Sequence, residues 1–193
     1  MKKKKNKKGI VFLCLGVSLL LIAGVLYLNN LIQDNNAGQK AEELLEKIES
    51  HTNDVVIENE LPVLNIDGEK FCGKIIVESL GIELPVFNEW SYSLLREAPC
   101  RYTGGIETND MIIAAHNYNS HFGRLKNLLS GDVIKFIDAY GIEHKFAVKE
   151  IIKLDGIAVS DMKDGKWDFT LFTCTKGGEY RVTVRCERIN NID

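Results

Sequence analysis

The sequence predicts an all-β domain, a barrel or a sandwich, that follows a membrane-spanning helix at the N-terminus. Beyond Leu61, short apolar and β-branched runs are separated by turns rich in Gly, Asp and Ser, which is typical of many short strands. Positions 9–28 are almost wholly apolar. Hydrophobic residues make up 45% of the 193 positions and charged residues 26%, so the chain has the composition of a folded protein.

The apolar segment 9–28 has the length of one membrane span. A helix of about 20 residues is roughly 30 Å long, which matches the hydrocarbon core of a bilayer. A cleaved signal peptide is the alternative, but its apolar region would span only about 7 to 15 residues and end in a small-residue cleavage site. No such site follows Leu28. We therefore expect a retained single-pass anchor and a lipid bilayer as a partner.

The lysines of the tail 1–8 predict the orientation of this anchor. Basic residues that flank a span stay on the cytoplasmic side, so the chain after Asn30 should be extracytoplasmic. The tail contains no acidic residue, and the rest of the chain is therefore more acidic than the net charge of -3 indicates. Because nonspecific binding to a phosphate backbone needs Lys and Arg, nucleic acid is excluded as a partner.

The segment 29–60 is predicted to connect the anchor to the domain. Four apolar residues with helical spacing indicate an amphipathic helix, either a short stalk or a helix packed on the domain. They are Ala41, Leu44, Leu45 and Ile48. The polar residues 51–60 are interpreted as a linker, and the extracytoplasmic domain as 61–193.

Seven apolar runs are predicted strands, and one segment is a predicted helix. The strands are 72–77, 84–87, 111–115, 133–137, 146–154, 167–174 and 180–188. The clearest helix is predicted over 122–129, with Ser120 as its N-cap.

One of the five cysteines is a candidate nucleophile. Cys14 lies in the apolar segment, and the four others allow three disulfide pairings, so a bond between Cys72 and Cys100 stays open. Side-chain alternation places Cys186 on an apolar face of the last strand. Cys174 instead ends its strand on the more polar face.

A hairpin closed by residues 175–180 would place Cys174 opposite Arg181. A guanidinium next to a thiol lowers the pKa of the thiol and can donate hydrogen bonds to an oxyanion. The alternative is a surface arginine beside a buried thiol.

A nucleophilic thiol, whose ordinary pKa is about 8.5, also needs a base or a cation nearby. His116 ends the apolar run 111–115 and opens a polar loop, where a strand delivers a side chain to a site; His121 is the second candidate. A metal site built from both histidines and a cysteine has no C-x-x-C or H-E-x-x-H motif to support it. We predict no metal and no cofactor.

Together these residues resemble the sortases, the membrane-anchored cysteine transpeptidases of mainly Gram-positive bacteria. The segment Thr170 to Cys174, TLFTC, matches the family motif TLxTC, and Arg181 opens the following RVTVR. His116 lies in AAHNYNSHFGRL. Softer matches are GKIIVESLGIELPVF and SGDVIKF, and the resemblance covers about 61–189.

The resemblance implies a closed eight-stranded β-barrel with a few short helices. It implies Cys174 as the nucleophile, His116 as general acid and base, and Arg181 as the group that positions substrate and stabilises the oxyanion. Thr173 and Thr170 would contact substrate. The Thr-Gly bond of an LPXTG-like sorting signal on a surface protein would be cleaved to a thioacyl enzyme, which an amine of a peptidoglycan precursor or a pilin lysine then resolves.

Several alternatives remain open at this point. Arg185 and Arg188 compete for the role of Arg181. The histidine loop resembles class B sortases, whereas the C-terminal strands resemble pilin-type and class D enzymes. The absence of an aromatic lid motif before the first strand favours anchoring to the cell wall over pilin polymerisation. A hydrolytic cysteine protease and a noncatalytic scaffold are the rival functions.

Overall fold

The computed structural model describes residues 7–50, 55–58 and 61–189. The chain divides into two compact units, Met1–Asn36 and Ala37–Asp193. One continuous helix, α1 (Lys7–Ser50), contributes to both.

The first unit contains the apolar part of α1. Its large hydrophobic side chains are exposed, Leu20 to 75% and Phe12 to 72%. Apolar surface of this extent is unfavourable in water by about 25 cal/mol per Å². The helix is long and apolar enough to cross a membrane.

In the second unit, the end of α1 packs against the β-domain through one face. The buried side chains follow the spacing of an amphipathic helix. They are Ala37, Ala41, Leu44 and Ile48. Lys74 also forms an ion pair with Glu49 at 2.9 Å.

The domain is a closed β-barrel of eight strands, as predicted. The described residues contain ten strands, of which the last eight form the barrel. They are β1 (Val55–Glu58), β2 (Leu61–Ile66), β3 (Glu69–Val77), β4 (Ile82–Phe87), β5 (Cys100–Thr103), β6 (Met111–Ala115), β7 (Val133–Asp138), β8 (Glu143–Asp155), β9 (Phe169–Cys174) and β10 (Tyr180–Arg188). The barrel order is β3-β4-β5-β6-β9-β10-β8-β7, and pairing of β3 with β7 closes it. The hairpin β1-β2 extends from the start of β3.

The structure differs from the sequence prediction in several segments. β2 and β5 are not among the seven predicted strands. The predicted short amphipathic helix is not separate but is the end of α1. Residues 55–58, interpreted as part of a linker, form β1. The helix predicted over 122–129 is wrong, because this segment contains turns and a 3₁₀ turn, Leu125–Asn127. Gly123 donates its backbone N–H to the Tyr118 carbonyl, and a Cβ on Gly123 would overlap the Asn117 carbonyl oxygen. The chain thus folds back too tightly for an α-helix at this segment. The second α-helix of the described residues, α2 (Val159–Met162), lies between β8 and β9 and is a single turn.

The barrel interior follows the alternation of side chains along each strand. Phe169 and Leu171 of β9 point inward together with Val184 and Cys186 of β10, and all four are fully buried. The prediction that Cys186 is a core residue is therefore confirmed. Burial raises the pKa of its thiol.

Cys72 and Cys100 are free buried thiols. Strand β4 lies between the strands that carry them, and two strand spacings of roughly 4.8 Å each exceed the reach of a disulfide. Burial raises the pKa of each thiol to about 12. Neither thiol is therefore a ready nucleophile.

Candidate active site

Three neighbouring strands bring His116, Cys174 and Arg181 to one rim of the barrel. β6 runs parallel to β9 with Ala115 opposite Thr173, so the next residue, His116, lies beside Cys174. β9 is antiparallel to β10 with Cys174 opposite Arg181. Adjacent strands are about 4.8 Å apart, and the three residues therefore occupy neighbouring positions across the sheet.

Alternation places Thr173 on the opposite face from Cys174. Thr173 is buried, and its hydroxyl donates a hydrogen bond to the Ala115 carbonyl oxygen at 2.8 Å. This bond joins the ends of β6 and β9 immediately before His116 and Cys174. It therefore fixes the relative position of the imidazole and the thiol.

His116, Cys174 and Arg181 all line one cavity of about 270 Å³, which we call the outer cavity. Part of its wall comes from α2 and the turn before it. A further part, which we call the aromatic wall, consists of Trp90, Tyr92, Tyr102 and Phe172.

The four aromatic rings of this wall contact one another edge to face. The ring centroids of Trp90 and Tyr92 are 4.8 Å apart, and those of Tyr102 and Phe172 are 5.4 Å apart. Tyr92 is 74% exposed and Trp90 38% exposed. Exposed clustered aromatic surface next to reactive groups is suited to bind an apolar segment of a ligand.

Partial burial lowers the pKa of His116, and the positive charge of Arg96 lowers it further. Both effects disfavour the imidazolium ion. The lowered pKa favours the neutral imidazole, which can accept a proton.

An NMR titration of the His116 ring should give a midpoint below the ordinary histidine value of about 6.5. Arg96→Ala should raise the midpoint, because it removes a positive charge, but leave it below 6.5, because burial is the larger cause. Arg96→Lys, which keeps the charge, should change the midpoint little. A midpoint above 6.5 in the wild-type protein would contradict this description.

The Arg181 guanidinium is held by the loop between β9 and β10. Its Nη1 donates hydrogen bonds to the carbonyl oxygens of Gly178 at 2.7 Å and Tyr180 at 3.2 Å. The backbone N–H of Gly156, in the turn before α2, donates to the Glu179 carbonyl at 2.8 Å. Two loops that border the outer cavity are therefore bonded to each other beside Arg181.

Gly156 leaves no room for a side chain at this contact. A Cβ there would lie 2.8 Å from the Glu179 carbonyl oxygen and 3.2 Å from Nη1 of Arg181. We expect Gly156→Ala to displace the guanidinium and lower kcat/KM by roughly tenfold to a hundredfold, as small misplacements of catalytic groups do. Gly141→Ala, between β7 and β8, is the control: a Cβ there meets no atom within 4 Å, but the φ of 79° strains an alanine, so this variant should lose stability and keep wild-type kcat/KM. Equal kcat/KM for the two variants would contradict the expectation.

The other candidates from the sequence lie outside the outer cavity. Thr170 is buried and accepts a hydrogen bond from Arg185 at 3.0 Å. Arg185 also donates to the carbonyls of Asp161 and Met162 in α2. His121 is fully buried.

Arg188 is also remote from the outer cavity. It donates to the Ile106 carbonyl at 2.6 Å and to Asn109 at 2.7 Å, and it contacts His144. Of the three competing arginines, Arg181 alone lines the outer cavity as the structure describes it.

The aromatic wall and Gly156 were not predicted from the sequence. Trp90 and Tyr92 lie in a polar loop, NEWSYS, where two large aromatic residues have no strand or helix to pack within. That pattern could have identified them as binding residues. Gly156 gave no such signal, because its role depends on two loops that meet only in the fold.

The barrel, together with His116, Cys174 and Arg181 around one cavity, is typical of an enzyme with a cysteine nucleophile. A family model described as Sortase domain matches residues 75–189. The chain belongs to the sortase family, whose members are cysteine transpeptidases.

Solved structures of sortases share the fold. A sortase D5 transpeptidase from Clostridium perfringens is 20% identical, with a TM-score of 0.59, and the match covers 79% of this chain and 97% of that one. Sortase C of C. perfringens, solved with the C-terminal cell wall sorting motif, is 20% identical with a TM-score of 0.57 over 79% and 90% of the two chains. Sortase C1 of pilus island 1 of GBS (group B Streptococcus) is 18% identical with a TM-score of 0.57 over 84% and 85%. No curated protein matches the sequence.

Proposed function

We propose that this sortase cleaves an LPXTG-like sorting signal between Thr and Gly and transfers the surface protein to an amine of a cell wall precursor. The observation that carries the proposal is that His116, Cys174 and Arg181 line one cavity. A thiol nucleophile, an imidazole base and a guanidinium donor are the groups that acyl transfer needs.

In the first step the Cys174 sulfur attacks the carbonyl carbon of the threonine. His116 accepts the thiol proton and gives it to the leaving amine of the glycine. Arg181 donates hydrogen bonds to the oxyanion of the tetrahedral intermediate. The products are a thioester on Cys174 and a free peptide amine.

In the second step an acceptor amine attacks the thioester carbon. His116 takes the proton of the attacking nitrogen and returns it to the sulfur as the carbon–sulfur bond breaks. The result is a new amide bond and a free thiol. Water in place of the amine would give a carboxylic acid, which is the outcome expected of a protease.

The aromatic wall supports a sorting signal with apolar residues before the cleaved bond. Leucine and proline side chains bury apolar area well against aromatic rings. In this proposal Thr173 does not contact the sorting signal, because it is buried and faces away from the outer cavity; it acts through its hydrogen bond to Ala115, which positions His116 beside Cys174. Thr170 acts through Arg185, which holds α2 at the edge of the outer cavity.

We further propose that the apolar part of α1 anchors the enzyme in the cell membrane. In this arrangement residues 1–8 are cytoplasmic, 9–28 cross the bilayer, 29–60 connect the span to the domain, and 61–193 are extracytoplasmic. The exposed apolar side chains of α1 and the lysines before them support this orientation.

An amine-acceptor assay with the full chain in detergent tests the proposed reaction. We expect peptides with LPXTG-like signals to be cleaved after threonine, and hydroxylamine to yield a hydroxamate and to speed turnover. Triglycine and a lysine-containing pilin peptide as competing acceptors separate wall anchoring from pilin polymerisation, the alternative function. Free acid as the sole product at excess amine would instead indicate a hydrolytic protease.

A further inference from the structure

Cys174 also lines a second cavity of about 300 Å³, which we call the inner cavity. Thr173 and Val182, which point toward the barrel interior, contribute to it. Cys174 is the one described residue that lines both cavities. A ligand in the inner cavity would therefore reach the sulfur from a different side than a ligand in the outer cavity.

The inner cavity is positively charged because three exposed lysines line it. Lys126, Lys153 and Lys176 line it, and none of its described lining residues is acidic. Within the described part of the chain, no salt bridge involves any of these three lysines, whereas Lys74 and Lys149 are paired with glutamates. Three like charges around one space repel one another unless a negative group joins them.

The three lysines come from distant parts of the sequence and meet through the topology. Lys153 of β8 is opposite Val182 of β10, which is opposite Thr173 of β9, so it shares the face of Thr173. Lys176 follows Cys174 in the next turn. Lys126 belongs to the 3₁₀ turn at Leu125–Asn127.

We propose that the inner cavity binds the acceptor, an amine whose molecule also carries a carboxylate or phosphate group. This inference rests on the proposed transfer reaction and specifies its second substrate. The anionic group contacts the lysines, and the amine points to the thioester on Cys174. The nitrogen forms a bond to the acyl carbon, the carbon–sulfur bond breaks, and the proton passes through His116 to the sulfur.

The positive charge would serve the acceptor in two ways. It attracts the anionic group, and this attraction weakens as salt concentration rises. Nearby cations also disfavour the protonated form of the acceptor amine, and only the neutral amine is a nucleophile.

Acceptor kinetics with the full chain in detergent test the proposal. The probes are triglycine, with a carboxylate; O-phosphoethanolamine, with a phosphate; and triglycine amide, with no anionic group. We expect a lower KM for the anionic acceptors than for the amide. In the triple variant Lys126→Gln, Lys153→Gln and Lys176→Gln, the preference for an anionic acceptor over the amide should fall at least tenfold. The ranking of triglycine against O-phosphoethanolamine shows which anion the site takes.

Lys149→Gln is the matched control, since Lys149 lies on the same strand as Lys153 but is paired with Glu187 outside the cavity. It should keep the wild-type preference. An unchanged preference in the triple variant would overturn the proposal.

A binding measurement separates failure of this inference from failure of the proposed function. NMR titration of Cys174→Ala protein with the same three probes requires no turnover. Weaker binding of the anionic probes in the triple variant supports the anion site even if no sorting peptide is cleaved. Equal binding with and without the lysines contradicts the anion site even if transfer proceeds.

Discussion

Replacing Cys174 with alanine is expected to abolish acyl-enzyme formation and reduce turnover to background. No second described thiol lines the outer cavity, so nothing can replace the sulfur. The melting temperature should stay close to wild type, because Cys174 lies half-buried at the end of β9 and outside the hydrophobic core. Intact-protein mass spectrometry and thermal unfolding measure the two effects.

Cys186→Ser is the matched control for this substitution. Cys186 is fully buried in the barrel interior, where an unpartnered hydroxyl costs about 1–3 kcal/mol. We expect a lower melting temperature and an acylated Cys174. Turnover that persists in Cys174→Ala would mean that another residue is the nucleophile.

Arg181→Ala is expected to lower kcat by about 100-fold to 1,000-fold, the usual effect of removing an oxyanion donor. Arg181→Lys should recover only part of the rate, since an ammonium cannot reproduce the planar array of guanidinium donors. The melting temperature should change little, because the side chain is only half-buried. Steady-state kinetics and thermal unfolding check this.

Arg185→Met distinguishes the two neighbouring arginines. Arg185 is 2% exposed and bonded to α2 and Thr170, so its loss should lower the free energy of unfolding by about 1.5–3 kcal/mol, the range for hydrogen bonds to charged groups. If Arg185→Met were stable but inactive and Arg181→Ala were active, the catalytic role would belong to Arg185 and the structural role to Arg181.

The pairing of Cys174 with Arg181 could be predicted because it is local. Two strands and one short turn determine it, and the observed register agrees. His116 was placed at a strand end, but its position beside Cys174 depends on parallel pairing of β6 with β9. Pairing between parallel strands that are distant in sequence leaves no local sequence pattern. The placement of His116 beside Cys174 was therefore predicted from the resemblance to sortases.

The missed elements have physical reasons as well. The strand at Val55–Glu58 is only four residues long and half exposed, and it depends on its partner β2 for pairing. The segment 122–129 has helical spacing, yet tight turns around Gly123 and burial of Phe122 and Leu125 determine its path. The lysines of the inner cavity are ordinary surface residues in sequence, and only the topology brings them together.

Peptide mapping of the trapped acyl enzyme tests the account most directly. The full chain is mixed with a peptide that carries an LPXTG-like signal, quenched in acid, digested and analysed by tandem mass spectrometry. We predict an acyl group ending in threonine on the fragment that contains Cys174, and its conversion to an amide when triglycine is added before the quench. An acyl group on a different residue, or cleavage of the peptide with no adduct on Cys174, would contradict the account.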